Sequence, residues 1–142
     1  MTLDRELDAL RTKVSGCKAL GLVDLPSGFL FAYGGPADVM GMVQSAGSSA
    51  ARLFEGAPKV KLSFLLGAEE PVDGRPDPAV PTEAVVFSET ATFLLLHCGR
   101  DAIGVFLCDA TGDRNLTRLF IQAREVVDAL RSIPWGMAEY EV

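Results

Sequence analysis

The sequence predicts an α/β fold of the α+β type, a three-layer α/β/α sandwich around a central antiparallel sheet of five strands. Two observations predict this architecture. Residues 91–97 and 103–108 have the pattern of strands. Their odd- and even-numbered positions are both largely apolar, as expected of a sheet with helices on each face. Residues 98–101, which link them, are too few for a helical crossover, so the two strands are expected to form an antiparallel hairpin.

The N-terminal half of the chain predicts an amphipathic helix, a hairpin and a second helix. Apolar residues recur at spacings of three and four over residues 3–14, which predicts a helix with Leu3, Leu7, Leu10 and Val14 on its buried side. Residues 17–24 and 29–33 are predicted strands, and Pro26 and Gly28 favour a tight turn between them. Pro36 suits the first turn of a helix, which we expect over residues 37–54.

This second helix is unusual because its middle, residues 45–51, consists almost entirely of small side chains. Glycine inside a helix costs about 1 kcal/mol relative to alanine, so Gly47 indicates that a neighbouring element approaches closely. One interpretation is close packing on the protein's own sheet. The other is contact with the same helix of a second copy across a two-fold axis.

The C-terminal half of the fold consists of an edge strand at residues 83–87, the hairpin and a last helix. Asn115 is a favoured N-cap residue, so the helix is expected to begin at Leu116. Its apolar stripe comprises Leu116, Leu119, Phe120, Ala123, Val126, Val127 and Leu130. Residues 59–64 favour a further edge strand, although residues 64–66 equally suit a helical turn. The four prolines of residues 67–82 predict an irregular surface loop, either a tolerated insertion or a segment that contacts a partner.

Length and composition favour one domain and argue against several functions. The 142 residues, 49% apolar and 23% charged, are typical of a single domain with one core. A net charge of −6 argues against nucleic acid as a partner. No apolar run approaches the ~20 residues of a transmembrane helix, and no basic start precedes an apolar segment. We therefore predict a cytoplasmic protein that does not insert into membranes.

Residues suited to catalysis, metal binding or cofactor binding are missing from the sequence. His97 is the only histidine, and phosphate-binding glycine loops are absent. The three cysteines, Cys17, Cys98 and Cys108, include no CxxC pair. A hairpin turn near Arg100 places Cys98 beside Ile103 and Cys108 beside Phe93, which keeps these two sulfurs apart. We predict no catalytic residue, no metal and no cofactor.

Two stretches carry a resemblance to a known family. ALGLVDLPSGFLFAYGG, residues 19–35, is similar to the opening hairpin of the Roadblock/LC7 family, and NLTRLFIQAREVVDAL, residues 115–130, resembles the last helix of that family. With the hairpin between them, the resemblance covers most of the chain outside about residues 58–82. It implies one Roadblock/LC7-like domain over residues 1–142 with profilin-like topology, interrupted by a Pro-rich insertion at about residues 67–82.

Members of this family are non-catalytic dimers that pair their third strands edge to edge and pack their second helices together. They regulate or scaffold Ras-like small GTPases, or serve as light chains of motor complexes. The resemblance therefore implies a homodimer, or a heterodimer with a paralogue, that binds a Ras-like GTPase and modulates its GTP hydrolysis. The implied dimer-interface residues are Met40, Val43, Gly47, Ala50, Ala51, Phe54, Val85 and Val86. Arg52, Arg75 and Arg100 are the conceivable arginine donors to a GTPase.

The alternative is a small-ligand sensor domain of the GAF, PAS or profilin-like kind. Such a domain needs a pocket with a few convergent polar groups inside the cup of its sheet. The residues predicted to face the helices are Leu, Ile, Val and Phe, which fill space instead. The sequence therefore favours the GTPase regulator over the sensor.

Overall fold

The computed structural model describes residues 2–54, 83–99, 101–109 and 115–133. The chain order of its helices and strands is α1 Leu3–Arg11, β1 Cys17–Asp24, β2 Leu30–Gly34, α2 Met40–Phe54, β3 Glu83–Phe87, β4 Ala91–Gly99, β5 Ala102–Asp109 and α3 Leu116–Ser132. A short 3-10 turn, Ala37–Val39, leads into α2. The edge strand predicted at residues 59–64 and the loop predicted at residues 67–82 lie outside the described residues.

The strands form one antiparallel sheet in the order β2-β1-β5-β4-β3. Helices α1 and α3 lie on one face, α1 against β1 and β2, and α3 against β4. Helix α2 lies on the other face, mainly over β1 and β5. Both faces of β4 and β5 are buried, as their apolar parities predict. The predicted three-layer sandwich with a five-stranded antiparallel sheet is confirmed.

The first and last helices begin at capping side chains. The Thr2 hydroxyl accepts a hydrogen bond from the backbone N–H of Arg5 at 3.3 Å. The Asn115 side chain accepts one from the backbone N–H of Arg118 at 3.0 Å, and α3 begins at Leu116 as predicted. None of the described helices is long and apolar enough to span a membrane.

Helix α1 is shorter than predicted. It ends at Arg11, where the next backbone hydrogen bonds join Lys13 to Leu10 at 3.0 Å and Val14 to Arg11 at 3.1 Å. In these bonds the donor lies three residues after the acceptor, instead of four as in an α-helix, so the chain tightens into turns. Gly16 then adopts a φ of +69°, which directs the chain into β1. Val14 is still buried, so its predicted place in the core is correct although its place in the helix is not.

The β4–β5 hairpin differs from the predicted register by one residue. The pairs are His97 with Ile103 and Thr92 with Cys108, not Cys98 with Ile103 and Phe93 with Cys108. The register shifts between His97 and Gly99, where Gly99 has a φ of +76°. An irregularity of this kind adds a residue to one strand and moves every later pair by one position.

Candidate functional site

The side of the sheet that carries α2 is only partly covered. Helix α2 packs on β1, β5 and β2, and to a smaller extent on β4. Between α2 and the β3 side of the sheet lies an open groove of about 520 Å³. The residues that line it are Gly41, Met42, Ser45, Ala46, Ser49, Ala50, Val86, Ser88, Phe93 and Leu95. We call this surface the α2–β3 face.

The small residues on the inner side of α2 allow the helix to lie close to its own sheet. A Cβ atom added to Gly47 would lie 2.2 Å from Val23 Cγ2 and 3.3 Å from Val105 Cγ2. Val43 and Ala50 are buried in the same cluster as these valines. Close packing on β1 and β5 therefore accounts for the glycine, as the first of the two interpretations from the sequence proposes.

The outer side of α2 also carries small residues. Gly41, Ser45 and Ser49 follow one another at spacings of four, so they lie on one line along the helix, and all three are exposed. A Cβ atom added to Gly41 would have no neighbour within 4 Å. Met42 lies beside this line and keeps 39% of its surface exposed. A second helix can approach closely along such a line.

Strand β3 forms one edge of the sheet in the described part of the chain. It pairs with β4 over its whole length, from Glu83 opposite Leu96 to Phe87 opposite Thr92. Val86 is 43% exposed and borders the groove, whereas Val85 packs against the core on the α3 side. An apolar edge strand of this kind is a template for pairing with another chain.

An ion pair anchors β3 to the helix on the opposite face. Arg124 of α3 donates two hydrogen bonds to the Glu83 carboxylate, each 2.6 Å long. This carboxylate raises the pKa of the Arg124 guanidinium. The guanidinium also lies 5.7 Å from the centre of the Phe120 ring. The bidentate geometry holds the start of β3 in place and leaves its outer edge free of this contact.

Polar side chains of α2 hold the β1–β2 turn. Gln44 donates to the Gly28 carbonyl at 2.9 Å and accepts from the Leu30 backbone N–H at 2.9 Å. The Ser48 hydroxyl donates to the same Gly28 carbonyl at 2.7 Å. Gly28 has a φ of +74°, which is the conformation that the predicted turn requires. These bonds set the rotation of α2 about its axis and thereby decide which of its sides faces outward.

Solved structures with a similar arrangement of helices and strands include Roadblock/LC7 domains and MglB proteins. A Roadblock/LC7 domain from Streptomyces avermitilis is 14% identical, with a TM-score of 0.64 over 93% of this chain and 97% of that chain. MglB of Myxococcus xanthus is 17% identical, with a TM-score of 0.63 over 91% of each chain. The chain has the Roadblock/LC7 fold. A structure described as MglB with a tetrameric arrangement is 19% identical, with a TM-score of 0.61 over 90% of this chain and 84% of that chain.

No family model matches the sequence, and no curated protein matches it. The Roadblock/LC7 fold is therefore shown by the likeness in tertiary structure. The predicted resemblance is confirmed at the level of the fold.

The Roadblock/LC7 fold separates the predicted dimer-interface residues into two groups. Those buried inside the protomer are Val43, Gly47, Ala50, Ala51 and Phe54. Those that keep exposed surface are Met40, Val85 and Val86. The α2 residues chosen from the sequence therefore lie mostly on the inner side of the helix, within the protomer. Whether a second copy binds at all stays a prediction.

Sequence reasoning missed most residues of the α2–β3 face. On α2 these are Gly41, Met42, Ser45, Ala46 and Ser49, and on the sheet side they are Ser88, Phe93 and Leu95. The inner and outer sides of α2 both carry small residues, so the spacing of small residues could not distinguish them. The available signal was polarity, because Ser45 and Ser49 occur on the outer side, whereas the buried inner residues Val43, Ala50 and Phe54 are apolar.

The Roadblock/LC7 fold brings no catalytic constellation together in the described residues. No group of three or more His, Cys, Asp or Glu side chains there is placed to hold a metal ion. His97 accepts a hydrogen bond from the Gly99 backbone N–H at 3.0 Å through Nδ1, as suits a structural histidine at a strand end. Arg52 lies exposed in the last turn of α2, whereas Arg75 and Arg100 lie outside the described residues. The α2–β3 face is lined by apolar and small polar side chains.

Proposed function

We propose that this protein is a non-catalytic regulatory module that dimerises through its α2–β3 face and, as a dimer, binds a Ras-like small GTPase. The observation that carries the proposal is the exposed apolar surface of Met42 and Val86 beside a groove and a strand edge. Such a surface favours an interaction partner. The cytoplasm is the proposed compartment, and the three free cysteines suit its reducing conditions.

A second copy is the partner that suits the α2–β3 face best. The line of Gly41, Ser45 and Ser49 permits close approach of a second α2, and the edge of β3 permits strand pairing in the same assembly. The tetrameric arrangement of an MglB structure supports self-association on this fold. The proposed interface therefore keeps Val86 on the α2–β3 face, Val85 through the backbone edge of β3, and the exposed Met40 at the start of α2. It replaces the inner residues of α2 by the outer residues Gly41, Met42, Ser45 and Ser49.

Light scattering on a size-exclusion column tests the dimer. Wild type should be a dimer at tens of micromolar, and Met42→Glu should be a monomer because a carboxylate would be buried opposite the second copy. The matched control is Ile121→Glu on α3, where the side chain is 48% exposed and lies away from the α2–β3 face. A monomeric wild type, or equal loss of the dimer in both variants, would contradict the proposed interface.

The GTPase partner rests on the resemblance between this chain and the Roadblock/LC7 family. A regulator must bind the GTP and GDP states with different affinities, because equal affinity for both shifts no equilibrium. Wild type and Met42→Glu should first be used as paired baits in a pull-down from the native cell. The recovered GTPase should then be titrated with wild type in its GTP-analogue and GDP forms, with single-turnover hydrolysis measured alongside.

We expect different affinities in the two nucleotide states and no hydrolysis by the protein alone. Any faster hydrolysis is expected to come from the switch segments of the GTPase itself, so Arg52→Ala should retain it. Equal affinities and an unchanged rate would reduce the protein to a scaffold, such as a light chain of a motor complex. Loss of stimulation in Arg52→Ala would instead identify an arginine finger.

A small-ligand sensor is the second candidate, and the groove itself favours it. A volume of about 520 Å³ lies in the range of ligand pockets, about 300–1,000 Å³, and the hydroxyls of Ser45, Ser49 and Ser88 border it. Native mass spectrometry of the protein purified from its own cell distinguishes the candidates. A retained small molecule on the monomer would favour the sensor, whereas a bare dimer would favour the regulator.

A further inference from the structure

Cys17 and Cys108 lie directly opposite each other on neighbouring strands. Cys17 begins β1, Cys108 is the last residue but one of β5, and the two are partners in the β1–β5 register. The Asp109 backbone N–H donates to the Gly16 carbonyl at 3.0 Å, on the outer side of this pair. A bond in that position marks Cys17 and Cys108 as a non-hydrogen-bonded pair, in which Cα atoms are typically about 4.5 Å apart. Disulfides span Cα separations of about 4.4–6.8 Å.

An irregularity in β1 places both thiols on the same face of the sheet. The register shifts between Cys17 and Ala19, so that Lys18 is an additional residue on β1. Regular alternation would place Cys17 and Ala19 on one face. Because of the shift, Cys17 packs in the cluster beneath α1 and α3 together with Cys108, whereas Ala19 packs beneath α2. The two thiols are close enough for each to shift the pKa of the other, and the Cys17 thiol donates to the Ala19 carbonyl at 3.2 Å.

The third cysteine is too far away to take part. Cys98 Sγ lies 3.0 Å from the position of a Cβ atom on Gly104. Gly104 and Cys108 are four positions apart on β5, which is about 13 Å at 3.3–3.4 Å per residue. Cys98 is therefore a matched control within the same protein, since it is buried in the same cluster without a thiol opposite it.

We propose that Cys17 and Cys108 form an oxidation site, where a peroxide converts the two thiols into an intrachain cross-strand disulfide. In the first step the thiolate of one cysteine attacks a peroxide oxygen, the O–O bond breaks, and a sulfenic acid and hydroxide form. The hydroxide takes up the proton released by that thiol. In the second step the other cysteine attacks the sulfenic sulfur and water leaves. Two thiols and one hydrogen peroxide thus give one disulfide and two waters.

The pair lies at a strand end, and each thiol shifts the pKa of the other. The neighbouring Cys17 thiol lowers the pKa of the Cys108 thiol. The neighbouring Cys108 thiol, together with burial, raises the pKa of the Cys17 thiol. Cys17 is 8% exposed and Cys108 is 2% exposed, and their pair is the first of the β1–β5 ladder. Strand ends open most easily, so a molecule as small as hydrogen peroxide can reach the thiols there.

The disulfide would connect the start of β1 to the end of β5, on the face of the sheet opposite the α2–β3 face. Closing a loop of this length restricts the unfolded chain, so oxidation should raise the Tm by about 5–15 °C. The disulfide should leave the oligomeric state unchanged, because it touches no residue of the α2–β3 face.

The test is oxidation of the folded, full-length protein with hydrogen peroxide, alkylation of the remaining thiols, and intact mass measurement with peptide mapping. Wild type and Cys98→Ser should both lose two hydrogen atoms and yield one reducible peptide pair that contains Cys17 and Cys108. Cys17→Ala and Cys108→Ala should not, and circular dichroism should establish that each is folded. Dilution should not change the yield, since the bond forms within one chain.

Three results would overturn the proposal. One is a disulfide that maps to Cys98, and another is a disulfide found only between two chains. The third is oxidation of wild type to sulfinic acid without any disulfide. The mapping of wild type alone decides among these outcomes, so the proposal can fail even where a cysteine variant does not fold.

Discussion

At the scale of single residues, Gly47 sets the distance between α2 and the sheet. Its position faces Val23 and Val105, and a β-branched valine has few rotamers with which to avoid a new methyl group. Gly41, on the outer side of the same helix, faces open space. The two glycines therefore differ in their environment although both lie in α2.

Alanine at these two positions should change stability in opposite directions. Gly47→Ala forces α2 away from β1 and should lower the free energy of unfolding by about 1–3 kcal/mol. Within the protomer, Gly41→Ala removes backbone freedom without a clash, so at protein concentrations below those of the proposed dimer it should raise the free energy of unfolding by up to about 1 kcal/mol. Urea unfolding of the three proteins measures both effects. Equal losses in the two variants would mean that the packing of α2 on Val23 does not determine stability.

The buried Cys98 thiol should make the folded protein less stable at alkaline pH. Burial raises the pKa of this thiol from 9.0 to about 12 in the folded protein. Below pH 9 the thiol is protonated in both states and stability is unaffected; above pH 9 only the unfolded state loses the proton. Wild type should therefore lose about 1.4 kcal/mol per pH unit relative to Cys98→Ala between pH 9 and 12. Parallel pH profiles of the two proteins in urea unfolding would show that the thiol is not buried.

At the scale of elements, the docking of α2 depends on its polar contacts with the β1–β2 turn. Gln44 satisfies both a carbonyl and an N–H of that turn, and Ser48 supplies a second donor to the Gly28 carbonyl. These contacts keep the Gly41, Ser45 and Ser49 line pointing outward. The outward position of the proposed interface therefore depends on the hydrogen bonds that Gln44 and Ser48 make on the other side of α2.

Gln44→Met should reduce the free energy of unfolding by about 1–3 kcal/mol, because it leaves the Leu30 N–H without this acceptor while keeping the side-chain volume. Ser48→Ala removes one donor from a carbonyl that Gln44 still contacts, so its loss should be smaller, about 0.5–1.5 kcal/mol. Thermal unfolding gives both values. A larger effect for Ser48→Ala would assign the main role in docking to the serine.

At the scale of the whole molecule, self-association should contribute to stability. A dimer links folding to protein concentration, so the Tm of wild type should rise by a few degrees for each tenfold increase in concentration. Met42→Glu should have a Tm that does not depend on concentration, and Ile121→Glu should behave as wild type. Differential scanning calorimetry at three concentrations measures this dependence. A constant Tm in wild type would contradict the dimer independently of chromatography.

The sequence by itself determined the elements and the fold class of this protein. Its local patterns are sufficient for this because a helix or strand is specified by periodicity and caps, as Asn115 before α3 illustrates. Strands β4 and β5 are buried on both faces, as predicted from the apolar residues at their odd and even positions, and such burial requires helices on each face of the sheet.

Only the tertiary structure decided which side of α2 faces inward and which cysteines meet. The two sides of α2 have similar small residues, and the choice between them depends on Gln44, Ser48 and Val23 acting across elements. The meeting of Cys17 and Cys108 depends on one additional residue in β1, which reverses the alternation at that strand's start. Register is set by pairing between distant parts of the chain, so no local pattern records it.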